Sequence, residues 1–174
     1  KGVKHIKEAL PMLMKQSPRP LTILTVEGIG LFDEFIGKCQ IIEEAWENDM
    51  ERLTHFYQAC DIFLMPSTAE AFGMMAIEAM ACGKPVVFFK GTSLDEVTFA
   101  PRAGIGATMH DTDSLAEVIL DLIHDTTKRE KMGQEARKLA EEHYDLNVYL
   151  SRMNELYKKL HYENMNKKNQ AIAA

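Results

Sequence analysis

Apolar residues recur along this chain of 174 residues in two alternating rhythms. Val3, Ile6, Leu10 and Leu13 repeat at helical spacing and predict a helix over residues 3–15, which Pro11 is expected to weaken or kink. Ser17-Pro18-Arg19-Pro20 stops it, and the apolar, β-branched run Leu21–Val26 predicts a strand. Gly28 and Gly30 punctuate the next turn. A short helix is predicted over Leu31–Cys39, a weak strand over Gln40–Trp46 and a clear helix over Asp49–Cys60. Asp61–Pro66 reads as a buried strand because its apolar residues are continuous. Met74–Cys82 is a helix rich in Met and Ala, followed by Gly83 where a left-handed C-cap belongs. Strands Pro85–Phe89 and Ile105–Met109 follow, the first opening on a proline whose missing N–H is tolerated there. Thr112–Asp125 and Lys128–His143 are amphipathic helices. A last helix, Leu146–Leu160, carries a stripe of Leu146, Tyr149, Leu150, Met153, Leu156, Tyr157 and Leu160. The polar tail 161–174 is expected to fray.

Strands alternating with helices over short connections predict an α/β fold, a Rossmann-like parallel sheet with helices on both faces. The length suits one domain, here 1–145, with the 146–160 helix appended. In such sheets ligands bind beyond the carboxyl ends of the strands. Candidate chemistry therefore belongs to Glu27-Gly28-Ile29-Gly30, to Ser67–Gly73 and to Lys90–Glu96.

Charge narrows the classes. With 20 Lys plus Arg against 26 Asp plus Glu, the net charge of −6 disfavours nonspecific nucleic acid binding. No apolar run approaches the ~18 residues that a transmembrane helix needs. Cys39, Cys60 and Cys82 are too few and too scattered for a zinc finger or disulfide scaffold, and fit buried thiols in a reducing compartment. Residues 1–20 hold five Lys or Arg against one Glu, whereas residues 21–70 hold two against ten acids. The basic end is either a solvated helix face or an anion site near the first residues. The start at Lys1-Gly2 without Met suggests a piece of something longer.

Asp61 to Val87 is the most informative stretch. Backbone amides at the start of the helix near Gly73 have no intrahelical partners, and the helix dipole is positive there. A glycine at that point lets a phosphate approach closely. Glu78 lies one turn inside a helix otherwise made of Met, Ala and Ile, where a carboxylate is costly without partners. The two hydroxyls of a ribose would suit its oxygens. Taken singly, Glu78 reads more readily as an exposed helix residue or one bound to a nearby backbone amide, and Glu70 as an ordinary loop acid; the spacing and the flanking strand and helix change that judgement.

The run Glu70-Ala71-Phe72-Gly73-Met74-Met75-Ala76-Ile77-Glu78, with Asp61, Pro66-Ser67 and the following Glu78-Ala79-Met80-Ala81-Cys82-Gly83-Lys84-Pro85-Val86-Val87, resembles the signature of one family. That family is the nucleotide-sugar-dependent retaining glycosyltransferases of the GT-B fold, glycosyltransferase family 4, and weaker similarity runs from Lys1 to about Leu160. The resemblance covers the second, donor-binding half of such an enzyme. It implies that Glu78 holds the donor ribose and that Glu70 contacts the hydroxyls of the transferred sugar. It assigns Lys1 to the diphosphate, and the backbone of Phe72, Gly73, Met74 and Met75 to diphosphate and sugar. Gly28, Gly30 and Glu96 lie in loops that line the family's donor site. The stretch from Gly30 to Asp61 is shorter than usual, and Glu43–Asn48 lacks the glycine common in the base-binding strand. The family's first strand, central in its sheet, would precede Lys1.

What the resemblance implies is transfer of a hexose-type sugar from a nucleoside diphosphate with retention at the anomeric carbon, to a saccharide or lipid-linked acceptor in polysaccharide or lipopolysaccharide biosynthesis. The donor would be a UDP-, GDP- or ADP-sugar, held without a metal or other cofactor. Consistent with that, the histidines show no ligand spacing. The acceptor would bind an absent N-terminal half, on which the 146–160 helix would pack, and this chain alone would not turn over. The helix stripe would otherwise support a dimer. The full enzyme would be cytoplasmic or peripheral at the inner face of the membrane. Three other readings stand beside this one: a sugar-nucleotide epimerase half, a dinucleotide-binding domain using Gly28-Ile29-Gly30, and a non-enzymatic interaction domain. The dinucleotide fingerprint is weak, because Asp33 stands where it wants Gly or Ala.

Overall fold

The computed structural model describes residues 2–26, 30–45 and 49–172, with side chains described as far as Glu163. Helix α1 (Val3–Gln16) leads to β1 (Thr22–Val26), a short 3-10 turn (Asp33–Phe35), β2 (Gln40–Glu44) and α2 (Met50–Ala59). Then come β3 (Phe63–Met65), α3 (Met74–Ala81), β4 (Val86–Phe89), α4 (Leu94–Val97) and β5 (Gly104–Ala107). Helices α5 (Thr112–His124), α6 (Thr126–Tyr144) and α7 (Leu146–Ile172) complete the chain.

Every ladder is parallel. β1 pairs with β2, Thr22 opposite Gln40 through Val26 opposite Glu44, and β4 lies between β3 and β5. The pairs form a two-stranded and a three-stranded sheet, and no strand among the described residues joins them. β4 shows why the sheet is covered on both sides. Its residues Val86, Val87, Phe88 and Phe89 are all buried, and successive side chains of a strand point to opposite faces. Val87 and Phe89 join one core with Leu10 and Leu13 of α1 and Leu115, Ile119 and Leu122 of α5. Val86 and Phe88 join the other with Tyr57 of α2, Ala76 and Met80 of α3, and Ala136 and Leu139 of α6. A four-residue run apolar at every position is what two covered faces require.

Several expectations are corrected. α1 runs unbroken through Pro11, which lies on the exposed side, where the amide bond it cannot make is not a buried loss. Leu31–Cys39 is not a helix. Phe32 and Phe35 are buried three apart and anchor a single 3-10 turn, and Gly37, at φ 81°, turns the chain toward β2. The one-turn helix α4 was not foreseen. α7 continues beyond Leu160 to Ile172 rather than giving way to a frayed tail.

α3 ends as expected. Gly83, at φ 72°, donates to the Met80 carbonyl at 2.8 Å and Lys84 donates to Ala79 at 3.0 Å, a Schellman closure. α6 passes close beneath: a Cβ added at Gly133 would lie 2.3 Å from the Gly83 carbonyl oxygen. The two helices are held backbone to backbone, which fixes the height of α3 in its layer.

Candidate functional site

The carboxyl ends of β3 and β4 carry the two loops of interest, Pro66–Gly73 and Lys90–Ser93, and the N-termini of α1 and α3 meet them there. α1 is close enough that a Cβ on Gly2 would overlap the Pro66 carbonyl oxygen at 1.9 Å; Gly2 has φ 74°. Gly73 is also left-handed, at φ 102°, and a Cβ there would come within 2.5 Å of Leu94 Cδ2. Both helices thus begin at glycines pressed against neighbouring structure. In α3 the first helical bonds are donated by Ala76 and Ile77 to the Gly73 carbonyl, at 3.0 and 3.3 Å. The amides of Met74 and Met75 precede those donors and point out of the helix start, where the dipole favours an anion.

The loop before α3 is tied from two directions. Glu70 Oε1 accepts from its own loop, from the amides of Ala71 (3.1 Å) and Phe72 (3.5 Å). Ser93, at the start of α4, places its hydroxyl between the Glu70 and Phe72 carbonyls, at 3.0 and 3.1 Å. The β4 loop is itself braced: Gly91 donates its amide to Asp95 Oδ2 at 2.6 Å, and Thr92 Oγ1 donates to the Phe89 carbonyl at 3.2 Å. Phe72, Met74 and Met75 are about half exposed, an apolar rim beside the free amides, and Phe72 meets the ring of Tyr144 edge-on at 6.4 Å.

Glu78 is half-buried, one turn into α3. Its Oε2 accepts from the Tyr57 hydroxyl at 2.6 Å, while its Oε1 accepts from no protein group among the described residues. Tyr57 comes from α2 and is 7% exposed, with its ring edge-on to Phe63 at 5.5 Å. Burial first, and then the hydrogen bond and negative charge of Glu78, push the Tyr57 phenol well above its ordinary range. It remains a donor.

Glu70, Phe72, Gly73, Met74, Met75 and Glu78 therefore share one continuous segment at the carboxyl end of the sheet. The other expected residues divide. The amide of Gly30 is taken by Glu43 Oε2 at 2.9 Å, and Glu43 Oε1 is buried without a hydrogen-bond partner among the described residues. Glu96 is exposed on α4, and its charge, after burial, helps to raise the Tyr144 phenol. In the loop after β4 it is Asp95 and Ser93, not Glu96, that bond to the backbone. Lys1 and Gly28 lie outside the described residues. Tyr57 and Ser93 were missed in the sequence. Nothing in the sequence singled out Tyr57, although a buried phenol needs a hydrogen-bond partner. Among the described residues no group of three His, Cys, Asp or Glu is placed to hold a metal, and no helix is long and apolar enough to cross a membrane.

Comparison with known proteins gives consistent findings. The family model described as glycosyl transferases group 1 matches residues 1–139. A D-inositol 3-phosphate glycosyltransferase of Paenarthrobacter aurescens is 37% identical over 150 residues, 81% of this chain and 37% of that protein. Sucrose-phosphate synthase from Thermosynechococcus elongatus superposes with a TM-score of 0.78 at 23% identity, over 94% of this chain and 43% of its own. Anabaena HepE in complex with UDP superposes with a TM-score of 0.73 at 24% identity, over 91% of this chain and 45% of its own. The chain thus spans less than half the length of each of these three proteins, and its fold is that of a GT-B glycosyltransferase half.

Proposed function

Because the chain belongs to the glycosyl transferases group 1 family, we propose that it forms the nucleotide-sugar donor site of a retaining glycosyltransferase. The observation that carries this is the Glu70–Glu78 segment. It sets a glycine-opened helix N-terminus with unpaired amides beside a carboxylate that has one oxygen fixed and one free. A nucleoside diphosphate matches that set. The amides at Gly73, Met74 and Met75 take the diphosphate, Glu78 Oε1 accepts from ribose hydroxyls, and Glu70 lies toward the transferred sugar. Lys1, next in sequence to Gly2 at the α1 N-terminus, adds a cation for the diphosphate.

In the transfer step the bond between the anomeric carbon and the diphosphate oxygen breaks, and its electron pair leaves with the diphosphate. Charge grows on that leaving group, and helix amides already aimed at it lower the barrier without reorganising. The acceptor hydroxyl then forms the new glycosidic bond on the same face and passes its proton to the departing diphosphate oxygen. For Glu70 to serve the sugar, its Oε1 exchanges the Ala71 and Phe72 amides for sugar hydroxyls, which also frees those amides for the donor. We read the transferred group as a hexose and the acceptor as bound by the remainder of the enzyme, so this chain alone binds donor without turning over. No step in this scheme calls on a metal. UDP is the first nucleotide to try, since a structural neighbour is a UDP complex.

Calorimetric titration with UDP, GDP and ADP tests the assignment. One of the three is expected to bind, and Glu78→Ala to weaken it by about 1–3 kcal/mol, the cost of a lost charged hydrogen bond. Binding that is indifferent to Glu78→Ala would remove Glu78 from the site. Absence of binding by a folded sample would overturn the donor-site assignment for this chain.

A further inference from the structure

The Tyr57–Glu78 contact reaches beyond the segment that names the family. It links helices 21 positions apart in the chain, through a phenol that is 7% exposed. At 2.6 Å the O–H···O⁻ bond is in the short, charge-assisted class. α2 is set firmly enough to deliver it. Asp49 caps its first turn, Oδ1 accepting from the Glu51 and Arg52 amides at 2.8 and 3.4 Å, and the Tyr57 ring is wedged against Phe63. A carboxylate has two oxygens, and the phenol occupies one of them.

We propose that Tyr57 is a positioning residue: it locks the Glu78 carboxylate so that Oε1 alone is presented to the donor, and so sets the preference of the site for a ribose. The inference rests on the donor-site assignment above and deepens it. An ionised carboxylate is an acceptor only, so the oxygen left open demands hydroxyl donors. A ribose offers two neighbouring ones and a dideoxyribose none. Without the phenol, Glu78 is free to rotate toward water, and a ribose hydroxyl must order it on binding. The raised phenol keeps its proton throughout the neutral range, so the lock does not switch with pH there.

The experiment compares UDP, GDP and ADP, each beside its 2′,3′-dideoxy form, on the wild-type chain and on Tyr57→Phe, which removes one oxygen and keeps the ring. The wild type is expected to prefer the ribonucleotide at least ~10-fold. Tyr57→Phe should weaken the ribonucleotide ~5–10-fold, leave the dideoxy form unchanged, and so collapse the ratio. A purely structural role would weaken both forms alike and overturn the proposal, as would a preserved ratio. If the wild type binds both forms without distinguishing the two sugars, Glu78 does not hold a ribose and the proposal falls while nucleotide binding stands; if it binds neither form, the donor-site assignment itself falls. Melting temperatures are read alongside, and the same pair of ligands is titrated on Glu78→Gln with and without Tyr57→Phe. In that background Tyr57→Phe should add nothing to the loss; an additive loss means that the two residues act independently and sinks the proposal.

Discussion

Gly73 faces two constraints that only glycine satisfies together. Its φ of 102° excludes ordinary side chains, and a Cβ would meet Leu94 Cδ2 at 2.5 Å. Left-handed backbone costs an L-residue roughly 1–2 kcal/mol, and forcing a methyl into packed structure adds roughly 1–3 kcal/mol. Gly37 is an internal control, since at φ 81° its Cβ would meet nothing within 4 Å. Gly73→Ala is therefore expected to cost about 2–5 kcal/mol in urea denaturation, and Gly37→Ala only about 1–2 kcal/mol. Equal losses would show that Leu94 yields, and that the close approach of α4 to the start of α3 is not a constraint. The same substitution should also displace the Met74 and Met75 amides and weaken nucleotide binding at least tenfold, which Gly37→Ala should not do.

At the scale of elements, the loop 70–73 of the proposed donor site depends on α4 as much as on α3. Ser93 bonds two carbonyls of the loop from across the site, and its removal leaves both with water as their alternative partner. Ser93→Ala is expected to lower stability by only about 0.5–1.5 kcal/mol, yet to weaken nucleotide binding several-fold because residues 70–73 lose their outer support. Unchanged affinity in a calorimetric titration would mean that α3 alone holds the loop. None of this was visible in the sequence, for a physical reason. Elements with a strong local period were legible: the apolar run of β4, the Met- and Ala-rich α3 closed by Gly83, and the amphipathic α5 and α6. Leu31–Cys39 misled because Phe32 and Phe35 have helical spacing but anchor one turn only, and α4 is too short to show a period. α7 outruns the expected helix because its last residues are polar and carry no stripe. The Glu70–Glu78 segment was readable because its parts are adjacent in the chain. Tyr57, Ser93 and the Gly30–Glu43 bond were not, because each contact is made by tertiary folding alone.

On the scale of the whole molecule, stability is unevenly distributed. β4 has a hydrogen-bonded neighbour on each side and four buried residues, whereas β1 and β2, among the described residues, pair only with each other and are at most half-buried. A strand with both edges paired and both faces covered opens only with the whole fold, while a two-stranded unit opens at lower cost. α7 stands further out. Leu146, Tyr149, Leu150, Leu156, Tyr157 and Leu160 are 45–65% exposed, on an arc of about 120° at 100° per residue. A helix that buries so little of its apolar face draws little stability from tertiary packing. Native-state hydrogen exchange should therefore resolve three levels. Amides of 86–89 should exchange at the global unfolding free energy, those of 22–26 and 40–44 at a value lower by on the order of 2 kcal/mol, and those of α7 faster still. A common rate for 22–26 and 86–89 would mean that the two ladders unfold as one unit through their shared core with α1 and α5. Separate rates would put a weak seam between the two sheets, away from the carboxyl ends of β3 and β4 where the proposed donor site lies.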